Sequence, residues 1–134
     1  MNPINVIGIG QGRDDLTAAH LALIQKSDLL VGGRRHLKMF EEHTGETLEI
    51  TGPIDRVIEQ IKENMPRKKI VVLASGDPLF YGIGSTLSRF IDKRYLVIHA
   101  NDVKSCFRQI KHHPDVMGAF SYILGEFMFL QCGL

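Results

Sequence analysis

With 134 residues, 44% of them hydrophobic and 23% charged, and a mean hydropathy of −0.01, the chain holds enough apolar material for one core and little for a second. A formal net charge of +1 supplies no field for drawing in nucleic acid or an anionic membrane surface. Two cysteines, Cys106 and Cys132, are too few for a disulfide framework, and no secretory leader pattern opens the chain. The expectation is a cytoplasmic protein with free thiols.

Taken in order, Ile4 to Ile9 alternates loosely into a first strand, and Gly8-Ile9-Gly10-Gln11-Gly12 turns at its end. Asp14, Asp15 and Thr17 offer caps for a helix that runs to about Lys26, with Leu16, Ala19, Leu23 and Ile24 at helical spacing. Asp28 to Val31 reads as a second strand, closed by Gly32-Gly33. A helix opening on Arg34-Arg35-His36-Leu37 follows, with Leu37 and Phe40 on its apolar side. Thr47 to Ile50 reads as a third strand. Ile54, Val57, Ile58, Ile61 and Met65 then mark an amphipathic helix that Pro66 closes.

Ile70 to Leu73 is a continuous, β-branched apolar run, the pattern of a strand covered on both faces. Ser75-Gly76 breaks it, Asp77 and Pro78 read as an N-cap and first helical residue, and Leu79, Ile83, Leu87 and Phe90 predict one helical face. Tyr95 to Ile98 is a fifth strand, followed by a helix over about 103 to 111. Strand and helix alternate throughout, so the predicted fold is α/β, a five-stranded mostly parallel sheet with helices on both faces. After Pro114 the composition turns apolar. Phe120, Ile123, Leu124, Phe127 and Met128 stand at helical spacing, too interrupted by Gly118, Gly125 and Glu126 for a membrane span, and predict a helix that needs a partner surface.

Gly8-x-Gly10 after a strand invites a dinucleotide-binding reading, but position 13, where a third small residue belongs, is Arg13. Asp28 lies at the start of the second strand, not at its end where a ribose would be held. A P-loop lysine is missing as well. Cys106, His112 and His113 match no zinc spacing, so no metal is expected. Asp77 suits a cap and a ligand contact equally well, and Arg34 and Arg35 suit a solvated helix start as well as an anion site. Two glycine turns at one sheet edge, from the first and fourth strands, would nevertheless face a single crevice.

Ser75-Gly76-Asp77-Pro78-Leu79-Phe80-Tyr81-Gly82-Ile83-Gly84 resembles the Gly-Asp-Pro loop of the tetrapyrrole (corrin and porphyrin) methylases, which holds S-adenosylmethionine. Val6-Ile7-Gly8-Ile9-Gly10-Gln11-Gly12 with Leu16-Thr17 is similar to the opening of that family, where a proline usually stands at Gln11. Leu29-Leu30-Val31-Gly32-Gly33-Arg34-Arg35-His36-Leu37 resembles the branch that methylates C5 of a corrin precursor, precorrin-6Y or cobalt-precorrin-6B, in cobalamin biosynthesis. The resemblance covers about residues 3 to 100. It implies an S-adenosylmethionine site at Gln11, Ser75, Gly76, Asp77, Phe80, Val103 and Ser105, and corrin-precursor contacts at Gly10, Gly33, Arg34, Arg35 and His36.

Methyl transfer from a sulfonium is an in-line displacement in which the protein supplies position, so no side chain is assigned a catalytic role. The donor turn after the fifth strand departs from the family's Pro-(Gly or Asn)-(Val or Ile)-Ser-Ser pattern: it reads His99-Ala100-Asn101-Asp102-Val103-Lys104-Ser105. The family also carries a second α/β domain. Residues 1–113 are therefore expected to be its N-terminal domain and 114–134 an apolar segment in the absence of the second. The alternative is a truncated, catalytically incomplete binding or assembly module of the same fold. A methylase of ribosomal RNA or of a protein side chain is disfavoured by Val31 to His36 and by the near-neutral charge. The apolar C-terminal segment predicts a homodimer, and a decarboxylating partner subunit is a further expected association. Neither nucleic acid nor membrane is expected as a partner.

Overall fold

A computed structural model describes residues 2–10, 12–75, 83–99, 117–121 and 127–130, the last two segments as strands. Seven strands form one sheet: β1 (Ile4–Gly8), β2 (Leu29–Gly32), β3 (Glu46–Glu49), β4 (Ile70–Ala74), β5 (Leu96–His99), β6 (Met117–Ser121) and β7 (Phe127–Leu130). Their order across the sheet is β3-β2-β4-β1-β5-β6-β7. The first five are parallel, as the alternation of strand and helix requires. β6 adds to β5 in parallel, and β7 returns antiparallel to β6.

The C-terminal segment corrects the sequence reading. The spacing of Phe120, Ile123, Leu124, Phe127 and Met128 predicts a helix, whereas Met117–Ser121 and Phe127–Leu130 are strands that extend the predicted five-stranded parallel sheet to seven strands among the described residues. Apolar runs of four or five residues can satisfy a helical period by coincidence, and the two phenylalanines of Phe127–Leu130 suit a pleated surface. Ile123 and Leu124, the predicted helix over 103–111, and the predicted cap and first turn at Asp77, Pro78 and Leu79 lie outside the described residues.

Helices α1 (Ala18–Lys26), α2 (Arg34–Lys38), α3 (Ile54–Asn64) and α4 (Ile83–Phe90) cover the central strands. Thr17 caps α1 as expected, its hydroxyl accepting from the His20 amide at 3.2 Å. Two cores result, one on each face. Ile4, Val6, Val31, Ile70, Val72 and Ile98 pack against α3 and α4 through Val57, Ile58, Ile61, Leu87 and Ile91. Ile7, Ile9, Leu30, Val71 and Leu73 pack against Leu16, Ile24 and Phe40 on the other side. Phe90, predicted on the buried face of α4, is 49% exposed, and Ile91, four residues after Leu87, takes the inward position.

The second face also buries a polar cluster. His99, at the end of β5, is 1% exposed, and its Nε2 lies 2.8 Å from Asn5 Oδ1 on β1. The His20 ring from α1 meets it edge-on, with centroids 5.4 Å apart. Burial first, and the neighbouring His20 second, push the His99 pKa down from 6.5 to about 3. Burial lowers His20 as well.

As pH falls through about 6.5 the unfolded chain takes up a proton at His99 that the folded chain refuses until about 3, so stability is full above 6.5 and is lost below it. Urea unfolding midpoints are expected to drop steadily between pH 7 and pH 4, and the drop should be shallower in His99→Gln. Equal slopes in the two proteins would show that this histidine does not govern the acid limb.

Candidate functional site at the carboxyl edge of the sheet

β1 and β4 lie side by side in register, Ile4 opposite Ile70 and Gly8 opposite Ala74, and the Ile9 amide continues the ladder to the Ala74 carbonyl at 2.8 Å. Their carboxyl ends therefore bring the Gly10 turn and Ser75 to one edge of the sheet. From there the chain departs to opposite faces, through α1 after β1 and through α4 after β4. A crevice between neighbouring strands whose connections diverge in this way is where open α/β sheets receive ligands.

Gly10 holds φ +66°, a conformation other residues rarely adopt, and a Cβ there would stand 2.9 Å from Asp15 Oδ2. The glycine is thus demanded by the turn itself. Arg13, which breaks the dinucleotide fingerprint, ties the first turn to the segment after α2. Its guanidinium donates to the Met39 carbonyl at 2.9 Å, pairs with Glu42 and sits 5.1 Å above the Phe40 ring. Asp28 Oδ2 accepts from the Lys69 amide at 2.8 Å at the opposite edge, far from any ribose role.

Of the expected donor-site residues, Ser75 is described, exposed at the end of β4. Gln11, Gly76, Asp77, Phe80, Val103 and Ser105 lie outside the described residues. The expected acceptor-site residues are all described: Gly10 ends the first turn, and Gly33, Arg34, Arg35 and His36 follow β2. A cavity of about 300 Å³ brings Gly33 and His36 together with Ser75, Leu73 and Ile83. Gly32 permits the approach, since a Cβ on it would press to 3.3 Å against Leu73 Cβ.

The three basic side chains of this stretch are placed differently. Arg34 and Arg35 face solvent, and Arg34 Nε donates to Glu49 Oε1 on β3 at 3.1 Å. His36 is buried, and burial first, then the charge of Arg35, lower its pKa. The His20, His99 and Asn5 cluster was not legible in the sequence, because its hydrogen bond joins residues 94 apart. Among the described residues no group of three or more metal-ligating side chains forms, and no helix is long and apolar enough to cross a membrane.

The family model for tetrapyrrole (corrin/porphyrin) methylases matches residues 3–101. A cobalt-precorrin-7 C(5)-methyltransferase of Salmonella typhimurium is 45% identical over 85 residues, 63% of this chain and 42% of its own length. A precorrin-6Y C(5,15)-methyltransferase (decarboxylating) of Sinorhizobium sp is 39% identical over 92 residues, 66% of this chain and 22% of that protein. In structure, the uroporphyrin-III-C-methyltransferase of Thermus thermophilus aligns over 73% of this chain and 47% of its own with a TM-score of 0.59 at 18% identity, a likeness of fold. The chain belongs to the tetrapyrrole methylase family. It spans less than half the length of these curated relatives.

Proposed function

We propose that the chain carries the N-terminal, donor-binding part, residues 1–113, of an S-adenosylmethionine-dependent methyltransferase that acts on C5 of a corrin precursor in cobalamin biosynthesis. The observation that carries this reading is the pairing of β1 with β4, which sets the Gly10 turn beside Ser75. The names of the relatives matched at 45% and 39% identity support the choice of acceptor.

S-adenosylmethionine, when bound, supplies an activated methyl group. The residues of this chain position it: Gly10 and Ser75 stand at the ends of β1 and β4, and Gln11, Gly76, Asp77, Phe80, Val103 and Ser105 complete the proposed donor site. Gly33, Arg34, Arg35 and His36 form the proposed acceptor side, where forked arginine donors suit acetate and propionate arms. Exclusion of water falls to the apolar wall of Ile50, Leu73 and Ile83. A cytoplasmic setting goes with this reading, supported by the two cysteines. A decarboxylating partner is part of it too, supported by the name of the Sinorhizobium relative.

S-adenosylhomocysteine is expected to bind weakly, and Asp77→Ala or Gly76→Val to remove the binding without lowering the thermal midpoint. Titration calorimetry decides it, and no heat at millimolar ligand with the unmutated chain would refute the donor site. A homodimer belongs to the same proposal. β7 ends the sheet with the sequence Phe-Met-Phe-Leu and, among the described residues, no strand on its far side, an edge suited to pairing with a second copy. Sedimentation equilibrium should give twice the chain mass, and Phe127→Ser should reduce it. A monomer before any substitution would remove the dimer from the reading.

A further inference from the structure

Arg13 breaks the dinucleotide fingerprint, and the donor site as proposed makes no use of it. It directly follows Gly12 and opens a tight turn, in which the Asp15 amide donates to the Gly12 carbonyl at 3.2 Å and the Leu16 amide to the Arg13 carbonyl at 3.1 Å. Leu16 is buried in the core on that face, and Asp15 Oδ2 stands where a Cβ on Gly10 would collide. The exit of the first turn is thereby fixed, and the Arg13 side chain reaches away from it.

It reaches the end of α2. One terminal nitrogen donates to the Met39 carbonyl at 2.9 Å and pairs with the Glu42 carboxylate, while the guanidinium lies 5.1 Å over the ring of Phe40, which is 3% exposed. The last carbonyls of a helix have no partner within it, and a cation is favoured there, so Arg13 completes α2 from outside. A half-exposed ion pair contributes little by itself. Three contacts sharing one planar guanidinium, one of them on a buried ring, fix it in place.

The other end of α2 begins immediately after Gly33, on the proposed acceptor side. A helix of five residues spans only about 7.5 Å, so its two ends move together. One side chain therefore joins the turn proposed to hold the methyl donor to the helix proposed to face the acceptor, across 26 positions of sequence.

We propose that Arg13 is a positioning residue: acting through the backbone of the first turn and not on a ligand, it holds the donor turn in register with α2, so that filling the donor site is felt at that helix. The inference rests on the reading that the carboxyl edge binds S-adenosylmethionine. By linkage, whatever ordering the donor imposes on the turn is shared by α2, and the reverse.

The test is titration calorimetry with S-adenosylhomocysteine, well below the thermal midpoint of every variant. Arg13→Ala should weaken binding by roughly 2- to 30-fold, the range over which residues that do not touch a ligand alter its affinity. Arg13→Lys, which keeps a charge opposite Glu42 but not the planar fork over Phe40, should fall between. A residue that only stabilised the fold would lower the thermal midpoint and leave the affinity unchanged. In the unmutated ¹⁵N-labelled chain the Phe40 and Glu42 amides should shift as the ligand saturates, although that segment holds no proposed donor residue, and this readout needs no variant to fold. Equal affinity in Arg13→Ala and the unmutated chain, or Phe40 and Glu42 amides unmoved at saturation, overturns the inference and leaves the donor site standing. Failure of the unmutated chain to bind S-adenosylhomocysteine at millimolar concentration overturns both.

Discussion

The ladder between β1 and β4 is the constraint on which the rest depends. Five residue pairs, from Ile4 with Ile70 to Gly8 with Ala74, hold two strands separated by more than sixty positions in the chain, about twenty times the spacing of a helical contact, at the centre of the sheet. Apart from Asn5, which is half-buried, both strands are buried along their length and apolar on both faces, and a slip of one residue would exchange the two cores. The same register fixes where the backbone stops being paired. Beyond Ile9 and Ala74 it turns away, and the glycine at position 10 and the serine at 75 come to lie at one crevice.

Around that ladder the two faces have different characters. The face under α3 and α4 is wholly aliphatic near its centre. The other buries His20 and His99 beside its apolar core, with Asn5 half-buried against them, and His36 lies in the wall of the carboxyl-edge cavity. Histidines held neutral by burial make the fold intolerant of acid, which is the expected consequence of placing polar side chains where water does not reach. They also place hydrogen-bonding groups near the edge where the chain's motifs converge.

Much of this was legible in the sequence. A loose alternation over Ile4 to Ile9 gives β1, a continuous β-branched run gives β4, the period of Ile54 to Met65 gives α3, and Thr17 is one of the three caps offered for α1, because each is decided by local pattern. The placement of Gly10 and Ser75 at one sheet edge was legible too, since both follow central parallel strands at their carboxyl ends. What local pattern does not decide was missed. Met117–Ser121 and Phe127–Leu130 become strands because β5 offers an edge to pair with, a fact about the sheet and not about those residues. Ile91 replaces Phe90 in the core because a helix end is set by its packing, and the His99 to Asn5 bond depends on a register no single segment contains. Glu49 as partner of Arg34 needed the adjacency of α2 and β3.

The most direct test of the account is where S-adenosylhomocysteine moves backbone amide resonances of the ¹⁵N-labelled chain. Shifts should cluster at Ile9, Gly10 and Gly12 and at Ala74 and Ser75, the ends of the central ladder. A second cavity, about 250 Å³ in volume, lies at the opposite edge against Asn2, Lys26 and Lys69. Shifts centred there, with the Gly10 and Ser75 amides unmoved at saturation, would contradict the claim that the β1 and β4 turns form the donor site.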